Sequence, residues 1–176
     1  MPTNIDPNSL NEQGKKAFQS GQSDTATDLF RAAADAYMSL HDELNAAESK
    51  NNMSVALLQS GKAQESLDAA LGTDDIFAKA GDLKRQGMAL GNQAAALEAL
   101  KRFDEALAMY DHSASVLAEA GEGDMRAIVL KSAAAIKLRK GKINESAFKM
   151  MGSLESEQNP SIFDRLLKAL LHFVQR

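Results

Sequence analysis

The chain reads as all-α, built from four helix pairs with a further helix at its C-terminal end, and three observations predict this. Gly21, Gly61, Lys101 and Gly141 stand at equal intervals of 40 residues, and the segments around them repeat at the same interval. Between these landmarks the apolar residues recur at spacings of three and four, the stripe of an amphipathic helix. About thirty alanines, only 3 prolines and 5% aromatic residues suit closely packed helices, because alanine has the highest helix propensity and lets helix axes approach.

Each element follows from local chemistry. The first helices of the four pairs are expected at 8–20, 42–60, 82–100 and 124–140, and the second helices at 23–40, 63–80, 103–120 and 143–157. A glycine after the periodic residues takes a left-handed conformation readily and so ends a helix, which accounts for Gly21, Gly61 and Gly141. Lys101 in the third turn predicts a turn without positive φ. Gly72 and Gly152 fall inside expected helices, where each costs about 1 kcal/mol relative to alanine and favours a bend. Gly14, Ser54, Ala94 and Ala134 are equivalent and uniformly small, as two antiparallel helices need where they cross. Ala26, Ser66, Ala106 and Ser146 are equivalent too, with Phe30, Ala70, Tyr110 and Met150 four residues later. Asn159-Pro160 closes the array, and Ser161 to Asp164 carry a capping signal for a last helix within 160–176. The resulting plan is a tail at 1–7, repeats at 8–41, 42–81, 82–121 and 122–157, and a capping helix.

Composition narrows the function classes. At 176 residues the chain suits one domain, and no run approaches the roughly 20 apolar residues that span a bilayer. The absence of cysteine removes disulfides, thiolate metal sites and cysteine nucleophiles, and fits a cytoplasmic location. His41, His112 and His172 lie far apart and form no metal-ligand spacing, so no metal or cofactor is expected. Adjacent carboxylates at Asp74-Asp75 and Asp104-Glu105 point about 100° apart on a helix and cannot share a proton, which argues against an enzyme. Gly87 and Gly91, four apart, mark close helix packing rather than a phosphate loop.

Gly14, Gly21, Ala26 and Phe30 in the first unit, and Ala94, Phe103, Ala106 and Tyr110 in the third, carry a resemblance to the tetratricopeptide repeat. The 40-residue interval, with Ala-Gly-Asp ending the second repeat, resembles the long-repeat subclass of kinesin light chains and of adaptors that bind G-protein regulators. The chain departs from the family at Leu10, Lys50, Leu90 and Leu130, where aromatic residues are usual, and has no helix-closing proline before Pro160. The resemblance implies a right-handed superhelix whose concave groove, lined by the first helices, takes an extended peptide or a helix. It places groove positions at Asn11, Lys15, Asn51, Asn52, Gln59, Asn92, Lys131, Ser132 and Arg139. Asn52 and Asn92 are equivalent by the 40-residue shift, and a side-chain amide matches a peptide group donor for acceptor. The carboxylate clamp of some tetratricopeptide chaperones is not expected, since its basic positions hold Asn11, Met88 and Asn92.

Charge is uneven. Residues 125–149 carry a net of about +6 against about −10 elsewhere, so an acidic protein partner suits that end, while the scarcity of aromatics disfavours nucleic acid. In the terminal helix Phe163, Leu166, Leu167, Leu170, Leu171 and Val174 form a wide apolar arc, an expected cap or a face for a partner or a homo-oligomer. The function expected is a non-catalytic protein-interaction scaffold or adaptor. The alternatives are a structural protein self-assembling through the terminal helix and a small tetratricopeptide-type cytosolic chaperone.

Overall fold

In the computed structural model of the chain, residues 6–155 are described, and among them every regular element is an α-helix. The elements are α1 (Pro7–Gln19), α2 (Ser23–Ser39), α3 (Glu43–Gln59), α4 (Ala63–Ala70), α5 (Thr73–Lys79), α6 (Leu83–Ala99), α7 (Phe103–Glu119) and α8 (Gly123–Glu155). The chain divides into two units, Met1–Ala133 and Ala134–Arg176, with α1 to α7 and the start of α8 in the first. The expected terminal helix, with Phe163, Leu166, Leu167, Leu170, Leu171 and Val174, lies outside the described residues.

Six turns connect the helices by one device. Gly21, His41, Gly61, Gly81, Lys101 and Gly121, spaced 20 residues apart, all have positive φ, between 59° and 76°. At each turn this residue donates its N–H to a carbonyl three residues back, and the next residue donates to the carbonyl five residues before itself. In the first turn these bonds are Gly21 N–H to Phe18 (3.0 Å) and Gln22 N–H to Ala17 (2.9 Å); in the fifth, Lys101 N–H to Glu98 (2.9 Å) and Arg102 N–H to Leu97 (2.9 Å). This is the Schellman closure, which satisfies carbonyls that the last helical turn leaves open. Lys101 corrects the expectation drawn from its missing glycine. Its φ of 62° shows that the hydrogen-bond pattern, and not the residue type, sets the backbone there.

The starts of α1, α3 and α6 are fixed by aspartate. The Asp6 carboxylate accepts from the N–H groups of Asn8 and Ser9, Asp42 from Asn45, and Asp82 from Arg85. Each satisfies donors that the first helical turn leaves open.

Two expected elements differ. The helix expected over 63–80 is broken at Gly72, whose φ of 77° separates α4 from α5. The carbonyl of Ala70, freed by the break, accepts from Thr73 Oγ1 (2.7 Å) and Gln93 Nε2 (3.2 Å). At Gly141 the expected turn is absent: α8 runs 33 residues without interruption where helices over 124–140 and 143–157 were expected. The flanking run of alanine, lysine, leucine and arginine from Ala133 to Lys140 is made mostly of strong helix formers, and one glycine costs too little to end it.

The pairing of helices rests on small residues, as expected. A Cβ on Gly14 would sit 2.7 Å from the Phe30 ring, and one on Gly87 would sit 2.6 Å from Leu117 Cγ. Ser54 and Ser66 meet with their hydroxyl oxygens 3.0 Å apart, and the Ser66 hydroxyl donates to the Ser54 carbonyl at 2.8 Å. Ala26, Ala94 and Ala106 are wholly buried. Phe77, Leu57, Leu90 and Leu117 are among the largest fully buried side chains.

Gly87→Ala is expected to destabilise the fold by about 1–3 kcal/mol, read by urea denaturation, since backbone and Leu117 must shift to admit the methyl group. Lys101→Gly is expected to raise stability by about 0.5–1 kcal/mol, because it removes a side chain from a left-handed backbone position. A loss of stability in Lys101→Gly would mean that the turn is not held at positive φ.

Candidate functional site

Helices α1, α3, α6 and the start of α8 leave three successive clefts between them. The first, a cavity of about 140 Å³, is bordered by Lys15, Phe18 and Gln19 of α1, Phe30 of α2, and Asn52 and Val55 of α3. The second, about 360 Å³, lies between α3 and α6, with Glu48, Asn51 and Asn52 on one wall and Asp82, Lys84, Arg85 and Met88 on the other. The third, about 330 Å³, is walled by Met88 and Asn92 of α6 and by Met125, Ile128 and Ser132 of α8, with Tyr110 and Leu117 of α7 also lining it. Asn52 borders the first and second clefts and Met88 the second and third, so consecutive clefts share walls.

The chemistry changes along this row. In the middle cleft Arg85 is clamped by Asp82 (Nε to Oδ2, 2.7 Å) and Glu48 (Nη1 to Oε2, 3.0 Å), with its guanidinium carbon 5.1 Å from the centre of the Phe77 ring. Lys15 reaches Glu48 from the first cleft at 3.8 Å and bonds Glu12 at 2.9 Å, and the Glu12 hydrogen bond is the main cause of its raised pKa. The backbone N–H of Arg85 is the main cause that holds the Asp82 carboxyl below the usual aspartate value, helped by the Arg85 guanidinium and the Lys84 charge. The third cleft is apolar and opens beside exposed Met88 and Ile128, the latter 66% exposed. Tyr110 in its wall donates to Glu98 Oε2 at 3.1 Å, and burial pushes its pKa up to about 12.

The asparagines behave less uniformly than their register suggests. Asn92 Nδ2 donates to Asn51 Oδ1 at 2.8 Å, joining α6 to α3. The 40-residue shift maps this pair onto Asn52 and Asn11. There, however, Asn52 Nδ2 and Asn11 Oδ1 are both buried without a hydrogen-bond partner, and Asn11 is 7% exposed. Asn52 and Asn92 are thus equivalent in position but not in state.

Of the expected groove residues, Lys15, Asn51, Asn52, Asn92 and Ser132 border the clefts. Asn11 is buried on α1, while Gln59, at the end of α3, and Lys131 and Arg139, on α8, are exposed and border none of the three. Glu48, Arg85, Met88, Met125 and Ile128 were not anticipated. The signal for Arg85 was present: three residues after Asp82, it takes the place that Asn45 takes after Asp42, and both side chains bond the capping carboxylate at 2.7 Å. Among the described residues no group of His, Asp and Glu is placed to hold a metal ion, and no helix is long and apolar enough to cross a membrane.

No family model matches the chain, nor does any curated protein or solved structure.

Asp82→Ala is expected to cost about 1 kcal/mol through the lost cap, measured by urea denaturation near pH 7. The carboxyl's depressed pKa stabilises the fold above the unfolded aspartate value of 3.8, and that contribution is lost as pH falls through the lower folded value. The stability gap between wild type and Asp82→Asn, which keeps an acceptor but not the charge, should therefore shrink as the solution is acidified below about pH 4. A constant gap would exclude a role for the charge.

Proposed function

We propose that the chain is a non-catalytic protein-interaction module of tetratricopeptide type that holds a peptide or helix along the clefts between its first helices. The observation that carries this reading is the sharing of walls: Asn52 and Met88 link the clefts into one track that changes from charged to apolar. A peptide presents the same alternation, a polar backbone with side chains of varied character, and interfaces gain most from an apolar anchor in a pocket. The cavity between α6 and α8 takes that anchor, beside Met88 and Ile128. At the other end, unpartnered Asn52 Nδ2 and Asn11 Oδ1 offer the donor and acceptor that complement one peptide group once the helices part to admit it. The excess of basic residues over 125–149 favours an acidic ligand.

The test is selection from a displayed library of random dodecapeptides, followed by calorimetry on an enriched peptide. Ile128→Glu and Asn52→Ala are each expected to weaken binding about tenfold or more, with melting temperatures within about 3 °C of wild type. Failure to enrich any peptide, or binding unaffected by both changes, would remove the clefts as a recognition surface.

A further inference from the structure

The turn register does not stop where the turns do. Positive φ recurs every 20 residues from Gly21 to Gly121, and the register is kept even at His41 and Lys101, where a side chain makes the left-handed backbone unfavourable. The seventh slot is residue 141, and it holds glycine, the residue that takes this conformation most easily, yet α8 passes through it as helix.

The exposure of α8 shows what the missing turn leaves uncovered. The positions equivalent to Ala134 in the three preceding units, Gly14, Ser54 and Ala94, are all buried; Gly14 lies against Phe30 and Ser54 against Ser66, in each case on the second helix of the pair. Ala134 is exposed. Phe18, Leu58 and Glu98 are half-buried, while their equivalent Leu138 is 62% exposed. Ala17, Leu57 and Leu97 are buried, and their equivalent Lys137 is exposed. Among the described residues no second helix covers α8 at Ala134 and Leu138, and residues 143–155, which would supply that helix, continue α8 instead.

We propose that α8 is a two-state element hinged at Gly141. In one state it is the uninterrupted helix seen here, with Ala134 and Leu138 open to solvent. In the other, Gly141 closes a seventh turn of the same hydrogen-bond pattern, and residues 143–155 return along that side as a second helix. The occupant of the uncovered side is therefore the chain's own following segment, tethered at the correct distance; sequence continues the small-residue series Ala26, Ser66 and Ala106 into it at Ser146. A second copy of the chain is the less suitable occupant, since pairing α8 with itself would set its net charge of about +6 over 125–149 against an equal charge. The switch exposes Ala134 and Leu138 in one state and covers them in the other. It does not depend on what the clefts bind.

The full chain lacks cysteine, so labels placed through Lys131→Cys and Ser153→Cys are unique. Pulsed spin-label distance measurement separates the states, because 22 residues of straight helix span about 33 Å whereas packed neighbouring helices bring the two sites to within about 15–20 Å once label length is included. Both distances are expected in the labelled protein. Gly141→Ala favours helix and disfavours the left-handed turn, so it should reduce the short-distance population about tenfold or more. Circular dichroism confirms that the helix content of the variant is retained. A single long distance, unchanged by Gly141→Ala, would show a permanently straight helix; a single short distance would show a permanent hairpin. Either overturns the switch. A short distance that disappears on dilution would overturn it too, by assigning the uncovered side to a second copy.

Discussion

The turn that closes each helix at a left-handed residue is the constraint on which the rest of the first unit depends. It ends a helix and reverses the chain within two residues, while satisfying carbonyls that a frayed end would leave to solvent. Because it recurs every 20 residues, equivalent faces of the helices meet at each junction, and small residues fall where the axes cross. The clefts follow from that regularity. Helices α1, α3, α6 and the start of α8 present equivalent faces, and the side chains on those faces decide whether the gap between two neighbours is charged, polar or apolar.

That repetition also makes the exceptions informative. Asn51 and Asn92 are joined, whereas Asn11 and Asn52, their equivalents one unit earlier, are not. A buried amide without a partner is unfavourable by about 1–3 kcal/mol, and a matched pair of such atoms is more unusual than either alone. Gly72 is a second exception. It divides the second helix of the second pair, and Gln93, reaching across from α6, bonds both the freed Ala70 carbonyl and Asp74 Oδ1, the latter at 2.6 Å. The break is thus held by a tertiary contact as well as by the glycine.

The candidate site was partly legible. Lys15, Asn51, Asn52, Asn92 and Ser132, which the resemblance to the tetratricopeptide repeat places in the groove, border the clefts. Glu48, Arg85 and Met88 were missed because their importance depends on cross-helix geometry: Arg85 matters through Glu48, which lies 37 residues away in sequence, and Met88 through two clefts that exist only when α3, α6 and α8 are assembled. Gln59, Lys131 and Arg139 border none of the three clefts, since position on a first helix does not reveal how far along the helix a cleft extends.

Sequence by itself determined the helical class, the 40-residue period, the positions of the first three helix pairs and the small residues at their crossings. These depend on local propensity, on side-chain volume and on a spacing that can be counted. The tertiary structure decided the conformation at two positions: Lys101 took positive φ, and Gly72 broke a helix that Gln93 of α6 helps to hold open. The physical reason is common to both. A turn forms where closing hydrogen bonds and burial of the returning helix outweigh the local backbone preference, and neither quantity is written in the residue that occupies the turn.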